Sequence, residues 1–154
     1  MIEAAAVDPD VEATLGRHDL GFLLAKATQR WNELLAERFS AAGYADVRPS
    51  YGSVLLPLYE ENGLRMGELA RRARLSKQTM TTMIRRLEDD GLVDRRPDPT
   101  DARASLVFLT GRSRRFEPVA ERTLRALDMR VRRRLGTPHL SSTKNALRAI
   151  LELE

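Results

Sequence analysis

Basic side chains that could bind phosphate are concentrated in the segment Arg65–Leu87. This segment carries seven lysines and arginines against one acidic residue, although the net charge of the 154-residue chain is only +4. A local cluster of this kind can attract a polyanion even when the total charge is small. Charge alone nevertheless favours a solvated helix face, so the interpretation depends on the elements that carry the cluster.

The residues that follow Ser76 have the pattern of a helix with one polar face. Ser76 is a suitable N-cap, because its hydroxyl can accept an unsatisfied amide of the first turn. The spacing predicts a helix to about Asp89 that ends before Gly91 and has an apolar face. The residues expected to be buried are Met80, Leu87 and either Met83 or Ile84. The opposite face offers Lys77, Gln78, Thr81, Thr82 and Arg85.

A second group of charges lies in Arg95–Ser105, which reads RRPDPTDARAS. It separates Gly91–Val93 from Leu106–Thr110, two runs that look like buried strands. The sequence therefore predicts a β-hairpin with a stiff, charged tip. A short helix predicted at Met66–Ala73, the helix after Ser76 and this hairpin together form a winged helix-turn-helix.

Longer helices are predicted on both sides of this module. Asp19–Ala42 and Arg112–Leu135 each carry an apolar stripe at helical spacing. Tyr51–Tyr59 is predicted to be a helix that is kinked or starts irregularly, because it contains a proline. A last helix is expected after Gly136–Pro138, capped by Ser141 or Ser142. The module offers too little surface to cover both long terminal helices, so their stripes are expected to pair with each other and with a second subunit.

Several functions are disfavoured by the composition. The chain has no cysteine, which excludes disulfides and thiolate metal sites. Met1–Asp10 has no basic start or apolar run typical of a secretion signal, and no apolar run approaches the ~18 residues that span a bilayer. His18 and His139 lie far apart, and no metal spacing or phosphate-binding glycine loop is found. We expect a soluble, cytoplasmic protein that is not an enzyme and that uses no cofactor, metal or membrane.

The segment Glu68–Thr110 closely resembles the core of the MarR family of bacterial transcription regulators. Its most specific parts are LEDDGLV at Leu87–Val93 and RRPDPTDARA at Arg95–Ala104. The resemblance implies a mainly α fold with a small β-hairpin. It further implies a winged helix-turn-helix module at residues 48–110, with helices at 18–47 and 111–154 forming an intertwined dimerisation domain, so that residues 1–154 are one MarR-type domain.

The resemblance also implies roles for individual residues. The wing of the family reaches the minor groove, where the arginine matching Arg103 makes the contact and the aspartate matching Asp101 orients it. A narrow minor groove concentrates negative potential, which favours an inserted guanidinium. The helix after Ser76 would enter the major groove, and its expected DNA-binding residues are Ser76, Lys77, Gln78, Thr79, Thr81, Thr82, Arg85 and Arg86. For the last two, ion pairs with Glu88 or Asp89 are an equal alternative.

The implied function is sequence-specific regulation of transcription, most often repression by a homodimer on a near-palindromic site in double-stranded DNA. A small aromatic or anionic effector would bind between the dimer helices and the module, where Trp31, Arg48 and Tyr51 are candidates. The alternative is a winged-helix interaction protein without operator binding. Arg74 departs from the family pattern, because a glycine often occupies this turn, so the turn is expected to differ.

Overall fold

The computed structural model of the protein describes residues 15–154, and it shows a mainly helical chain with one small sheet. The predicted fold class is therefore confirmed. The segment Met1–Asp10, in which the sequence predicts no secretion signal, lies outside the described residues. The helices are α1 (Leu20–Ala41), α2 (Gly52–Glu60), α3 (Met66–Ala73), α4 (Lys77–Asp89), α5 (Gly111–Leu135) and α6 (Thr137–Leu151). A short 3-10 helix at Pro49–Tyr51 leads into α2, which is the irregular start expected there.

The sheet has three antiparallel strands rather than the two of the predicted hairpin. They are β1 (Leu64–Arg65), β2 (Val93–Asp98) and β3 (Asp101–Leu109), in the order β1-β3-β2. The segment predicted as a tip is mostly strand, and only the two residues between β2 and β3 form the turn. Pro97 is tolerated because β2 is an edge strand, where a missing amide donor breaks no ladder on the open side.

One continuous apolar core holds the module and the flanking helices together. Side chains of α4 such as Ile84 and Leu87 are fully buried against α3, α2 and the sheet. The same core extends into α1 and α5, where the rings of Phe39 and Phe116 meet edge to face with centroids 4.8 Å apart. The core therefore crosses the predicted module boundaries at residues 48 and 110.

The last helix begins earlier than the sequence predicted. The helix α6 starts at Thr137, with Gly136 as the N-terminal flanking residue at φ 82° and Pro138 in the first turn. Proline fits this position, because its backbone lacks an N–H that would have no partner there. Ser142 does not cap the helix and instead donates its hydroxyl to the Pro138 carbonyl over 3.0 Å. The predicted Ser141 or Ser142 cap is therefore wrong.

Arg74 forms the turn between α3 and α4 in an unusual backbone conformation. It has φ 53° and ψ 42°, and it is the only non-glycine residue with positive φ in residues 15–154. This left-handed region costs an ordinary residue about 1–2 kcal/mol. The turn thus keeps the conformation that favours glycine, contrary to the expectation that it would differ. The Arg74 guanidinium donates to the Leu151 carbonyl at the end of α6 over 2.8 Å.

Candidate nucleic-acid interface

The helix α4 has a buried apolar face and an exposed polar face, as its sequence predicted. Ser76 caps it by accepting a hydrogen bond from the Thr79 amide over 3.1 Å. Because Met80, Ile84 and Leu87 are directed into the core, the remaining positions are directed outwards. The predicted contact residues on this helix are all exposed except Thr81, which is half-buried: Lys77, Gln78, Thr79, Thr82, Arg85 and Arg86.

The polar residues of α4 lie along two grooves. One groove runs beside Gln78, Thr79, Thr82 and Arg86 on the side away from the hairpin. The Thr82 hydroxyl donates to the carbonyl four residues earlier, over 3.2 Å. Its oxygen can therefore still accept a hydrogen bond from an amino group of a base.

The other groove, about 490 Å³ in volume, separates α4 from the hairpin. Lys77 and Thr81 line it from the helix, and Arg103 lines it from β3. Lys77 and Thr81 on the helix and Arg103 on the wing thus open onto one groove.

The basic residues of the module divide into paired and unpaired groups. Arg71 and Arg72 bind the Glu68 carboxylate, which lowers the pKa of Glu68 to about 2. Among the described residues, no carboxylate lies within ion-pair distance of Lys77, Arg85, Arg86 or Arg103. The alternative ion pairs of Arg85 and Arg86 are therefore absent from this structure, and Glu88 instead binds Arg95 over 2.7 Å. The basic cluster therefore contains two kinds of side chain. Some arginines form ion pairs within the fold, and other basic residues carry a charge that no carboxylate matches.

Arg103 is exposed, close to the turn that joins β2 and β3. The Asp101 carboxylate accepts a hydrogen bond from the Arg103 backbone amide over 3.0 Å. The resemblance implied that Asp101 orients the arginine, and the contact in the structure is to the backbone of Arg103. Such a bond between an aspartate and the amide two residues later stabilises the local turn.

Sequence reasoning missed a cluster at the same turn. The Asp98 side chain is 4% exposed, and its carboxylate lies 2.6 Å from Arg65 Nε. The amide and hydroxyl of Thr100 donate to the other oxygen of this carboxylate over 2.8 and 2.7 Å. The hydrogen bonds from Thr100, with the charge of Arg65, lower the pKa of Asp98. The Asp-Pro-Thr sequence signals the local turn, but nothing in it signals Arg65.

An apolar cavity of about 230 Å³ lies between α1, α2 and α5. Two of the three predicted effector residues, Trp31 and Arg48, line it. Tyr51 does not line it, because it is 2% exposed and its hydroxyl donates to the Asp90 carboxylate over 2.6 Å. Burial and this hydrogen bond raise the pKa of Tyr51 to about 12.

Residues 15–154 contain neither a membrane-spanning helix nor a cluster of metal ligands. No helix in this range is long and apolar enough to cross a membrane. No group of three or more histidine, cysteine, aspartate or glutamate side chains in it could hold a metal ion.

The helices α3 and α4 with the sheet define a winged helix-turn-helix protein, and comparison with known sequences refines that class. A MarR family model matches residues 49–105. The chain is 39% identical over 90 residues to the HTH-type transcriptional repressor Rv2887 of Mycobacterium tuberculosis, covering 58% of this chain and 65% of that protein. It is 33% identical over 101 residues to the HTH-type transcriptional regulator ML2140 of Mycobacterium leprae, covering 66% of this chain and 71% of that protein. The chain thus spans slightly less than two thirds of the length of Rv2887.

Solved structures agree with this assignment. The PcaV regulator of Streptomyces coelicolor, in complex with its natural ligand, has a TM-score of 0.76 at 22% identity and covers 96% of this chain and 97% of its own. AbfR bound to DNA has a TM-score of 0.67 at 22% identity and covers 86% and 88%. At this identity the two structures establish a shared fold.

The chain belongs to the MarR family of winged helix-turn-helix transcription regulators. Both relatives are named as transcriptional regulators. The prediction that the chain is not an enzyme is confirmed by these relatives.

Proposed function

We propose that this protein is a sequence-specific DNA-binding regulator that acts as a homodimeric, ligand-responsive repressor. The observation that carries the proposal is the surface shared by α4 and the wing. Lys77 and Arg103 line the same groove and are exposed, and neither has a carboxylate partner among the described residues. Unpaired cations on one face are what a phosphate backbone requires, since each contact releases condensed counterions.

In this proposal, α4 enters the major groove. Lys77 contacts phosphate, while Gln78, Thr79 and Thr82 reach base edges from the first turns of the helix. Arg103 enters the adjacent minor groove, where its guanidinium meets concentrated negative potential. AbfR, which shares the fold, was solved bound to DNA, and this supports DNA as the partner.

The homodimer is supported by apolar side chains that the single chain leaves uncovered. Exposed leucines such as Leu20, Leu23, Leu147 and Leu151 lie on α1 and α6. Pairing these helices across a two-fold axis would remove that surface from water. Residues 48–110 would then contact DNA, and residues 18–47 and 111–154 would join the subunits.

Repression and ligand response rest on relatives and on one cavity. Rv2887 is named as a repressor, and PcaV was solved with its natural ligand. The cavity between α1, α2 and α5 could hold a small, mostly apolar molecule, and Arg48 offers a charge for an anionic group. A ligand there would release DNA only if it binds the DNA-free form more tightly than the complex.

Selection of duplexes from a random DNA pool tests the proposal. We expect a near-palindromic site with half-site centres about ten base pairs apart, because two major grooves on one face are one helical turn apart. The logarithm of the binding constant should fall linearly with the logarithm of salt concentration. No enriched sequence and a flat salt dependence would favour the alternative, an interaction protein that kept the fold without operator binding.

A further inference from the structure

The cluster of Arg65, Asp98 and Thr100 joins the wing to the helix-turn-helix at one point. Asp98 is the last residue of β2, and Thr100 belongs to the two-residue turn that follows. Arg65 lies on β1 and immediately precedes α3, the first helix of the helix-turn-helix. The Arg65 guanidinium contacts both partners, at 2.6 Å to Asp98 and 3.1 Å to the Thr100 hydroxyl.

Asp98 is held in place by a residue outside the hairpin, Arg65 of β1, as well as by Thr100 of the turn. The pairing of β2 with β3 is irregular between Pro97 and Asp98. Beside this irregularity, the Asp98 carboxylate is buried under the half-exposed side chain of Arg65. A buried carboxylate without its partners would be costly, so the three residues tend to keep one geometry.

We infer that Arg65 and Asp98 are positioning residues that fix the wing turn, and with it Arg103, at the orientation needed for minor-groove contact. The inference rests on the proposed function. Arg103 follows the turn by three residues, and β1 covers β3 only as far as Leu106. Beyond that register, β3 pairs only with β2 in the described residues, and the contacts of Arg65 with Asp98 and Thr100 connect the turn to the residue that precedes α3.

The cluster also changes the charge that DNA would meet. Arg65 lines the groove between α4 and the wing together with Lys77 and Arg103. Its charge is largely matched by Asp98 at 2.6 Å. Breaking the pair by Asp98→Asn would therefore leave Arg65 as an additional free cation while releasing the wing turn.

The test is a mutant cycle between Asp98→Asn and Arg103→Ala, with the duplex that the wild-type protein selects from a random pool. Arg103→Ala should weaken binding of the otherwise wild-type protein about tenfold, which corresponds to about 1.4 kcal/mol. In the Asp98→Asn background the same change should cost less than about threefold, because a misplaced Arg103 has little contact to lose. Asp98→Asn should also steepen the salt dependence by up to about one unit. A merely structural role of Asp98 does not predict the coupling to Arg103, whereas the steeper slope reports only the freed charge of Arg65.

Glu88→Gln supplies a matched control, because it breaks the 2.7 Å ion pair that joins α4 to Arg95 of β2, away from the turn. Its effect should be additive with that of Arg103→Ala. If Asp98→Asn does not fold, as judged by circular dichroism, Arg65→Met breaks the same contact from its half-exposed side and should show the same coupling to Arg103.

Two outcomes overturn the inference in distinguishable ways. Additive effects of Asp98→Asn and Arg103→Ala, with Arg103→Ala alone still weakening binding, reject the positioning role and leave the proposed function standing. An Arg103→Ala variant that binds as the wild type does rejects the wing contact and the positioning role together. Failure to select any duplex rejects the proposed function and, with it, the inference.

Discussion

The winged module at residues 48–110 and the terminal helices differ in how much of their apolar surface a single chain buries. In residues 48–110, Leu56 is the only large apolar side chain that is exposed, and the others are buried or half-buried. The terminal helices and the chain ends leave exposed leucines at many positions, including Leu20, Leu135 and Leu151. The module therefore buries most of its apolar surface within the chain, whereas the terminal helices leave apolar surface uncovered, which the second subunit of the proposed homodimer would cover.

Basic residues occur in both regions. In the module, several arginines form ion pairs within the fold, whereas Lys77 and Arg103 have no carboxylate partner among the described residues and line one groove. On α5, basic residues accumulate in the last turn, at Arg132, Arg133 and Arg134. Cations at the end of a helix interact favourably with its dipole, which gives them a structural reason there. Neither charge density nor the lack of a carboxylate partner separates the two regions, because Arg133 and Arg134 also form no ion pair among the described residues. What distinguishes Lys77 and Arg103 is that both line the groove between α4 and the wing.

The largest effect is expected when the apolar surface of the terminal helices is made polar. Leu147→Glu with Leu151→Glu should yield a folded monomer, because these side chains are 42% and 56% exposed in the single chain. Loss of the second half-site contact should reduce operator affinity by about 10²-fold or more. Light scattering and binding titrations measure the two effects.

A control for this pair is Ala149→Glu, on the opposite side of α6 by helical geometry. This variant should remain dimeric and bind DNA normally. Dimers of the double leucine variant at micromolar concentration would contradict the assigned interface.

A core substitution in α4 should have the next largest effect. Ile84 is fully buried, so Ile84→Ala should lower the free energy of unfolding by about 2–5 kcal/mol. Urea unfolding at several protein concentrations measures it, with Leu151→Ala as the comparison in the terminal region. The Leu151→Ala loss should grow smaller when the chains are already monomeric, whereas the Ile84→Ala loss should not change. If the losses of both variants depended on protein concentration in the same way, the module and the terminal helices would not differ in their need for a second subunit.

Substitutions on α4 should distinguish residues that set the preferred base sequence from residues that bind any DNA sequence. Gln78→Ala should relax base preference at particular positions and cost ~1–3 kcal/mol if a good base contact is lost. Lys77→Ala should weaken all sequences alike and flatten the salt slope by about one unit. Affinity measured on the selected site and on single-base variants distinguishes them. A changed preferred sequence in Lys77→Ala would show that the two roles are assigned wrongly.

The sequence was most informative where structure is local. The bounds of α3 and α4 were predicted closely, because Ser76 caps one end of α4 and Gly91 follows the other. The strand β1 was not predicted, because two residues are too few to show the alternation of polar and apolar side chains that indicates a strand. The ends of the wing strands were predicted at Gly91–Val93 and Leu106–Thr110, but their parts within Arg95–Ser105 were predicted as a tip, because the polar residues there lack the alternation of a half-buried strand.

Long-range contacts account for the remaining differences at the site. Tyr51 was expected beside an effector, but its partner Asp90 is 39 residues away in the chain, and no local pattern indicates that pairing. The tie between Arg65 and Asp98 is of the same kind. The exposed face of α4 required no such contact, which is why its residues were found from periodicity alone.

The smallest effect is expected at Arg74, where the module meets α6. The residue combines a left-handed backbone with a hydrogen bond from its side chain to the Leu151 carbonyl. Arg74→Ala removes that bond and keeps the backbone cost, whereas Arg74→Gly removes both. The two variants lose the same contact, so their difference reports the backbone alone, and Arg74→Gly should be more stable than Arg74→Ala by about 1 kcal/mol. Thermal unfolding of the pair measures this difference. Equal stability of Arg74→Ala and Arg74→Gly would mean that the turn leaves the left-handed region once the Arg74 side chain no longer reaches α6. In that case the hydrogen bond to the Leu151 carbonyl is what holds the strained turn in place.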